Sequence, residues 1–243
     1  MSLIKGGAAS KLLRAVLLMA LLGARPSSAT VQVTNLTNGG SISLSNLVTS
    51  ALYVQVGDKL FGNFGFGYVD TTGNTDNYLT SSDLTLSALS NEVGFGVSIQ
   101  APLIAQGPVI KDLTLQFSVQ VVNSPDMISG VQLQVVGGAS GLGEANVAET
   151  VGFGAGGIAH LFVDANSATP EDYVTLSTPQ SMVWITKDVI VSGDPDGYSE
   201  TNPIQDVGTI SIINQAFAQV PEPGAMALLG VGMAGLLIVR RRR

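Results

Sequence analysis

Apolar and polar residues alternate with a period of two through the middle of the chain. This spacing indicates β-strands that bury one face. The clearest run has Leu113, Leu115, Phe117, Val119 and Val121 on one face and Thr114, Gln116, Ser118 and Gln120 on the other. Similar runs include Val93 to Ile99, Val131 to Val135 and Phe64 to Tyr68, where glycines occupy the alternate positions of the last. Further strands are predicted at 41–47, 146–151, 158–164, 183–191 and 209–217, whereas residues 82–90 fit neither a strand nor a helix template.

Turn-forming residues separate these runs, as at Asn38-Gly39-Gly40, Ser124-Pro125-Asp126 and Gly137-Gly138. About ten strands without helical runs predict an all-β, antiparallel two-sheet sandwich of jelly-roll-like type. The missing crossover helices exclude a parallel α/β fold. The glycine-rich residues 137–157 are interpreted as a long mobile loop, with a domain break as the alternative.

Residues 1–29 have the three-part pattern of a secretory signal peptide. Lys5, Lys11 and Arg14 supply the basic region, and residues 15–22 supply a short apolar core. Ser27-Ser28-Ala29 then places small residues before a cleavage site. The sequence therefore predicts export, with signal peptidase as a processing partner.

A second patterned segment covers residues 220–243. Val220-Pro221-Glu222-Pro223 precedes an apolar run over 224–239, which is followed by Arg240, Arg241, Arg242 and Arg243. As a helix this run would be roughly 24 Å long, which is short for a bilayer core but sufficient with tilting and arginine snorkelling. The pattern predicts a single hydrophobic helix, and the positive-inside rule makes the four arginines a membrane stop on the cytoplasmic side.

The order Pro-Glu-Pro, short glycine-rich apolar segment and arginine cluster resembles the PEP-CTERM sorting tail of Gram-negative bacteria. The resemblance implies that a membrane-embedded exosortase recognises Val220, Pro221, Glu222 and Pro223. It implies an inner-membrane-anchored precursor that is processed for delivery to the cell surface or the exopolysaccharide matrix. Gly224 departs from the Ser or Thr common at that place in the family.

The central segment carries a weaker resemblance. Gly57 to Phe64 and Ile213 to Phe217 look like segments of secreted PEP-CTERM β proteins that have no assigned activity. This resemblance supports a β fold for residues 30–219 and implies no function.

Charge is unevenly distributed over the three predicted parts. The chain has 18 acidic and 11 basic residues and a formal charge of −7, yet only Lys59, Lys111 and Lys187 are basic within residues 30–219. Such an acidic body disfavours nucleic acid as a partner, because phosphate binding needs a basic surface. With no cysteine, the chain has no disulfide framework, thiolate nucleophile or cysteine-type metal site.

No convergent catalytic set emerges from the sequence, and the chain is predicted not to be an enzyme. His160, the single histidine, is interpreted as a hydrogen-bonded strand residue. Glu144 with Glu149, or Glu171 with Asp172, could supply the two carboxyl groups of a glycoside hydrolase. Exposed turn positions are the simpler interpretation of both pairs.

No cofactor is predicted, with calcium as the alternative. Asp194, Asp196 and Glu200 place oxygen donors in a loop that could wrap a hard cation, although the EF-hand pattern is incomplete. Asp70, Asn74 and Asp76 have similar character. Ordinary turn chemistry explains both loops equally.

The sequence therefore predicts a secreted, exosortase-sorted envelope or matrix protein with a structural or adhesive role. A carbohydrate-binding or ice-binding module is the alternative, and a glycoside hydrolase is a remote one. Exopolysaccharide is the candidate extracellular partner.

Overall fold

A computed structural model describes residues 32–36, 40–50, 52–71, 78–194 and 206–221. Strands dominate these residues, as the period-two pattern predicts. Their bounds are β1 Val33–Asn35, β2 Ser41–Ser43, β3 Tyr53–Val56, β4 Lys59–Asp70, β5 Thr85–Ser90, β6 Phe95–Gln106, β7 Ile110–Val121, β8 Asp126–Ser140, β9 Glu144–Phe153, β10 Gly157–Asp164, β11 Glu171–Gln180, β12 Met182–Ser192 and β13 Val207–Pro221. The helix α1 spans Leu44–Ser50.

Within the described residues the strands form two sheets. Sheet A has seven strands in the order β1-β3-β4-β7-β12-β9-β10, and sheet B has six in the order β11-β8-β13-β6-β5-β2. Neighbouring strands pair antiparallel except β1 and β3, which are parallel. Both sheets bury their inner apolar faces against each other, so the predicted antiparallel-dominated sandwich is confirmed.

The core is built from the apolar phase of each strand. Phe61 contacts Phe117 of sheet A and Phe217 of sheet B, with ring centroids 6.3 and 5.9 Å apart. All three rings are almost completely buried. These three rings pack the two sheets together. The alternate side chains of each strand point to the outer faces of the sheets.

The predicted strand at 41–47 is wrong beyond Ser43, where α1 begins. Leu44 and Leu47 are both buried, and their spacing of three residues fits one face of a helix. Ser43 precedes the helix, and its hydroxyl hydrogen-bonds to that of Ser45 at 2.9 Å.

The long mobile loop interpreted at 137–157 is also wrong. Gly137 and Gly138 continue β8, while two short turns at 141–143 and 154–156 connect β8 to β9 and β9 to β10. A Cβ at Gly137 would collide with the backbone carbonyl of Thr209 on β13. Close approach of two strands, rather than flexibility, explains this glycine.

Four strands, β1, β3, β5 and β11, were not predicted, and β4, β6 and β8 extend beyond their predicted runs. β1 and β3 are short, and β11 is polar on its exposed side. β6 continues to Gln106 through Pro102, which lies beyond the end of its partner β5 and at an irregularity in its pairing with β13. A proline is tolerated there because it removes no ladder hydrogen bond.

Candidate functional site

The outer face of sheet A carries the most distinctive surface among the described residues. Register places its outward side chains in rows across β10, β9, β12, β7 and β4. We call this surface the Trp184 face. Its rows are Ile158–Gly152–Trp184–Ser118–Gly62, His160–Thr150–Thr186–Gln116–Gly65, Phe162–Ala148–Asp188–Thr114–Gly67 and Asp164–Asn146–Ile190–Asp112–Val69.

Trp184 is the single tryptophan of the chain and lies on β12, an interior strand of sheet A between β7 and β9. Its side chain is 51% exposed, whereas Val183 and Ile185 on either side point into the core. The strand phase therefore presents the indole to solvent. Because Val183 and Ile185 are buried and β12 is paired on both sides, the backbone at Trp184 is held in place.

A second ring lies in the same row as Trp184. Tyr53 of β3 covers Gly62, where a Cβ would collide with the phenol ring. Ser118 stands between them, accepting a hydrogen bond from Asn63 at 2.8 Å and donating to the Gly62 carbonyl at 3.2 Å. Trp184 and Gly62 are two strands apart, which is about 10 Å.

Glycines line two depressions in the surface beside these rings. A depression of about 490 Å³ adjoins Trp184, lined by the β9–β10 turn, Ile158 and residues 180–182. A second depression of about 290 Å³ lies over Gly65 and Gly67 beside Thr114 and Gln116. Missing side chains at these glycines let a ligand approach the backbone.

The far end of the Trp184 face holds two carboxyl groups in contact. Asp112 of β7 and Asp188 of β12 are diagonal neighbours across the pair and are hydrogen-bonded to each other. Partial burial, and then the charge of Asp188, raises the pKa of Asp112. This pair accepts or donates hydrogen bonds according to its protonation.

The two carboxylate pairs considered from sequence do not form a catalytic arrangement. Glu149 is buried in the core, whereas Glu144 is exposed at the start of β9. Glu171 and Asp172 are consecutive on β11, so their side chains point to opposite faces. Glu171 accepts a hydrogen bond from Gln132, and Asp172 accepts one from the backbone of Phe162. Neither pair can flank one glycosidic bond, and the simpler interpretation of both as turn residues is also wrong.

His160 is an exposed strand residue, as predicted. Its Nδ1 hydrogen-bonds to the Thr150 hydroxyl at 3.3 Å across the β9–β10 pair. Both side chains belong to the polar second row of the Trp184 face.

The predicted calcium loop falls largely outside the described residues. Asp194 follows β12, is buried, and donates its backbone N–H to the Gly107 carbonyl at 2.7 Å. Asp196 and Glu200 are not among the described residues, nor are Asn74 and Asp76 of the second loop. No cluster of three or more metal-ligating side chains occurs in the part of the chain that the structure describes, and calcium binding stays a prediction.

The first two residues of the predicted sorting motif lie on β13. Val220 pairs with Met127 and Pro221 with Asp126 of β8. Glu222, Pro223, the apolar run and Arg240 to Arg243 lie outside the described residues, as does the predicted signal peptide. Among described residues, no helix is long and apolar enough to cross a membrane.

Hydrogen bonds hold the end of β13 against sheet A. Gln219 donates to Asp58 at 2.7 Å, and the other oxygen of Asp58 accepts from buried Lys59 at 2.7 Å. Burial opposes ionisation of Asp58, but these two bonds, the charge of Lys59 and a backbone hydrogen bond together outweigh it and lower the pKa of Asp58. The motif therefore starts on a strand that is fixed by an ionised side chain.

Sequence reasoning missed Trp184. The alternation that predicts a strand at 183–191 already places Trp184, Thr186 and Asp188 together on the polar face. A tryptophan in that phase was the available signal, and Gly152 opposite it could be recognised only from the register.

Solved structures similar to this chain include proteins with bound sugars, at low similarity. TmCBM61 in complex with β-1,4-galactotriose has a TM-score of 0.33 and 10% identity, covering 64% of this chain and 88% of that chain. The family 11 carbohydrate-binding module of Clostridium thermocellum, in complex with a β-1,3-1,4-mixed-linked tetrasaccharide, has a TM-score of 0.26 and 6% identity over 65% and 88%. The enzymatically active domain of bacteriophage CBA120 tailspike protein 4 has a TM-score of 0.27 and 9% identity over 64% and 19%. TM-scores this low do not bear on function.

No curated protein matches the chain. A family model for the PEP-CTERM protein-sorting motif matches residues 219–243, which confirms the resemblance identified from Pro221, Glu222 and Pro223. The match starts at Gln219, the residue that hydrogen-bonds to Asp58 on β13. The chain thus carries a PEP-CTERM sorting motif, which marks it as an exported protein that is sorted by an exosortase.

Proposed function

We propose that this protein is a non-catalytic surface protein that binds glycan chains on the Trp184 face. The exposed indole of Trp184, held on an interior strand of sheet A beside the glycine-lined depression, is the observation that carries the proposal. Sugar rings present apolar C–H faces that pack on aromatic rings, and their hydroxyl groups need hydrogen-bond partners nearby. An apolar surface with few polar groups around it is the usual composition of a ligand site.

The neighbouring rows supply the polar partners. Thr150, Thr186 and Gln116 lie one row from Trp184, and Asp188 and Thr114 lie in the next. Trp184 and Asp188 are four residues apart on β12, or about 13 Å. A site of this extent fits an oligosaccharide segment better than a single sugar.

The charge of the Trp184 face favours a glycan over single-stranded nucleic acid as the ligand. Single-stranded nucleic acid also stacks on exposed aromatic rings, but it needs a basic groove along its phosphates. The Trp184 face carries Asp112, Asp188 and Asp164 and no lysine or arginine in its rows. Neutral glycan chains are therefore the favoured ligand class.

Sorting would place this site in contact with glycans. In this proposal signal peptidase removes the leader, the apolar tail holds the precursor in the inner membrane, and an exosortase processes it near Pro221 to Pro223. Exopolysaccharide at the cell surface is then the ligand, which gives the protein an adhesive role. Fractionation followed by mass mapping of the mature C-terminus tests this route, and a surface form that retains Arg240 to Arg243 would contradict it.

A paired substitution tests the binding site itself. Trp184→Ala should weaken binding of the full chain to its glycans at least tenfold, because it removes the aromatic platform. Tyr173→Ala is the matched control, since Tyr173 is an exposed aromatic residue, 47% accessible, on the outer face of sheet B. A glycan array followed by affinity measurements on the positive glycans gives the readout. Equal binding by Trp184→Ala and the unmodified protein would contradict the proposal.

A further inference from the structure

Three polar side chains interrupt the hydrophobic core at a single point. Lys187 of β12, Glu149 of β9 and Gln215 of β13 are all at most 1% exposed. Lys187 and Glu149 are cross-strand partners in sheet A, and Gln215 reaches them from sheet B. The Trp184 face does not use any of them, because they point to the opposite side of the sheet.

Hydrogen bonds place the Lys187 amine next to the Gln215 side-chain amide. Lys187 Nζ hydrogen-bonds to Glu149 Oε2 and to the carboxamide oxygen of Gln215. The carboxamide is fixed from behind, because its Nε2 donates to the Gln132 carbonyl at 3.0 Å. The amide carbon of Gln215 is one bond from the oxygen that Nζ contacts.

Burial sets the protonation of the cluster. It lowers the pKa of the Lys187 amine and raises that of the Glu149 carboxyl, in both cases outweighing the attraction between them. Burial therefore favours the neutral pair, with the proton on Glu149, and a neutral amine is the nucleophilic form of lysine. Glu149 Oε1 has no hydrogen-bond partner among the described residues, so the carboxyl has a free oxygen for proton transfer.

We propose that Lys187 and Gln215 form an intramolecular isopeptide bond, with Glu149 as the acid and base of the reaction. Nζ attacks the amide carbon, and the Cδ–Nε2 bond of Gln215 breaks. Glu149 donates its proton to the departing nitrogen, which leaves as ammonia, and takes up a proton from Nζ. The products are one secondary amide and one ammonia, and Glu149 ends as it began.

The surroundings favour this reaction over competing ones. The core excludes water, which would otherwise compete with the amine for the amide carbon. Pairing of β12 with β9 holds the amine beside the carboxyl, and packing of sheet B on sheet A brings the amide to them, which replaces a collision by an effectively unimolecular step. The bond would join β12 of sheet A to β13 of sheet B and so link the two layers covalently.

Mass spectrometry of the full chain, purified folded and then denatured, tests the bond. Lys187 is followed by no lysine or arginine before Arg240, and an acylated lysine resists trypsin. We expect no tryptic cleavage after Lys187 and a fragment lighter by one ammonia. Cleavage at the acidic residues between positions 187 and 215 should then leave two peptides joined through Lys187 and Gln215. That localisation separates the bond from ammonia loss elsewhere in the chain.

Two variants sharpen the result. Glu149→Gln keeps the size of the side chain but cannot carry the proton, so it should have the unmodified mass and be cleaved after Lys187. Lys111→Arg is the matched control and should retain the bond, because Lys111 lies near Asp70 away from the core cluster. An unmodified mass with normal cleavage after Lys187 in the wild-type chain would overturn the proposal, whether or not the variants fold. Loss of water with a link to Glu149 would overturn the assignment to Gln215.

Discussion

Asp112 and Asp188 show how a single pair of side chains on the Trp184 face affects stability. A carboxyl whose pKa is raised in the folded state holds its proton more tightly there than in the unfolded chain. Stability therefore falls as pH rises from the ordinary aspartate range through the raised pKa of Asp112. At neutral pH the two charges repel each other in the folded protein.

Asp112→Asn should consequently stabilise the protein at about pH 7, by less than about 1 kcal/mol because the pair is partly solvent-screened. The gain should disappear at about pH 3, where aspartate is protonated in both states. Urea unfolding at the two pH values measures the difference, with Glu92→Gln in an exposed turn as the control. An equal effect of Asp112→Asn at both pH values would contradict this explanation.

At the level of single residues, the sequence already contained a signal for the buried cluster of Lys187, Glu149 and Gln215. Lys187, Glu149 and Gln215 each interrupt an apolar phase, between Ile185 and Val189, Val147 and Val151, and Ile213 and Phe217. That phase predicts three inward-pointing polar side chains. Their convergence depends on which strands pair and in which register, and local patterns do not encode this information.

At the level of the strands, the glycines have two different roles that can be separated by substitution. Gly137→Ala should destabilise the protein by about 1–3 kcal/mol, because its Cβ would collide with the Thr209 carbonyl on β13. Gly67→Ala is the matched control, since its Cβ would meet only the Thr114 side chain at 3.7 Å. Urea unfolding of both variants gives the comparison, and equal stability losses would contradict it.

The strands that sequence patterns predicted correctly are those with one buried and one exposed face. β7, β8 and β12 have this character, and their alternation survives in the structure. Residues 137–157 were misinterpreted because glycine in a strand and glycine in a loop look alike in one sequence. β11 was missed because only Leu176 of its residues is fully buried.

At the level of the whole molecule, the two proposals concern separate parts of an acidic exported body. Glycan binding is proposed for the outer face of sheet A, and the cross-link is proposed for the core between the sheets. Between Lys187 and Gln215 such a link would restrict the unfolded chain by about 3–4 kcal/mol, on the loop-entropy estimate used for disulfides. A protein without cysteine would thereby gain covalent stability outside the cell.

Sorting and folding also meet at the end of β13. The motif matched at residues 219–243 begins on a strand that is paired with β8 and fixed through Asp58. Recognition of Val220 and Pro221 in an extended form would require this end of the strand to separate from Met127 and Asp126. The folded domain thus lies directly beside its processing signal.

Glycan binding at Trp184 is the central claim, and the single tryptophan provides its own probe. Titration of the full chain with exopolysaccharide from the producing cells should change the intensity and wavelength of tryptophan emission in a saturable way. Thr186→Ala, one row away, should weaken the titration without removing the probe. Binding of the polysaccharide that leaves the emission of Trp184 unchanged would contradict the account.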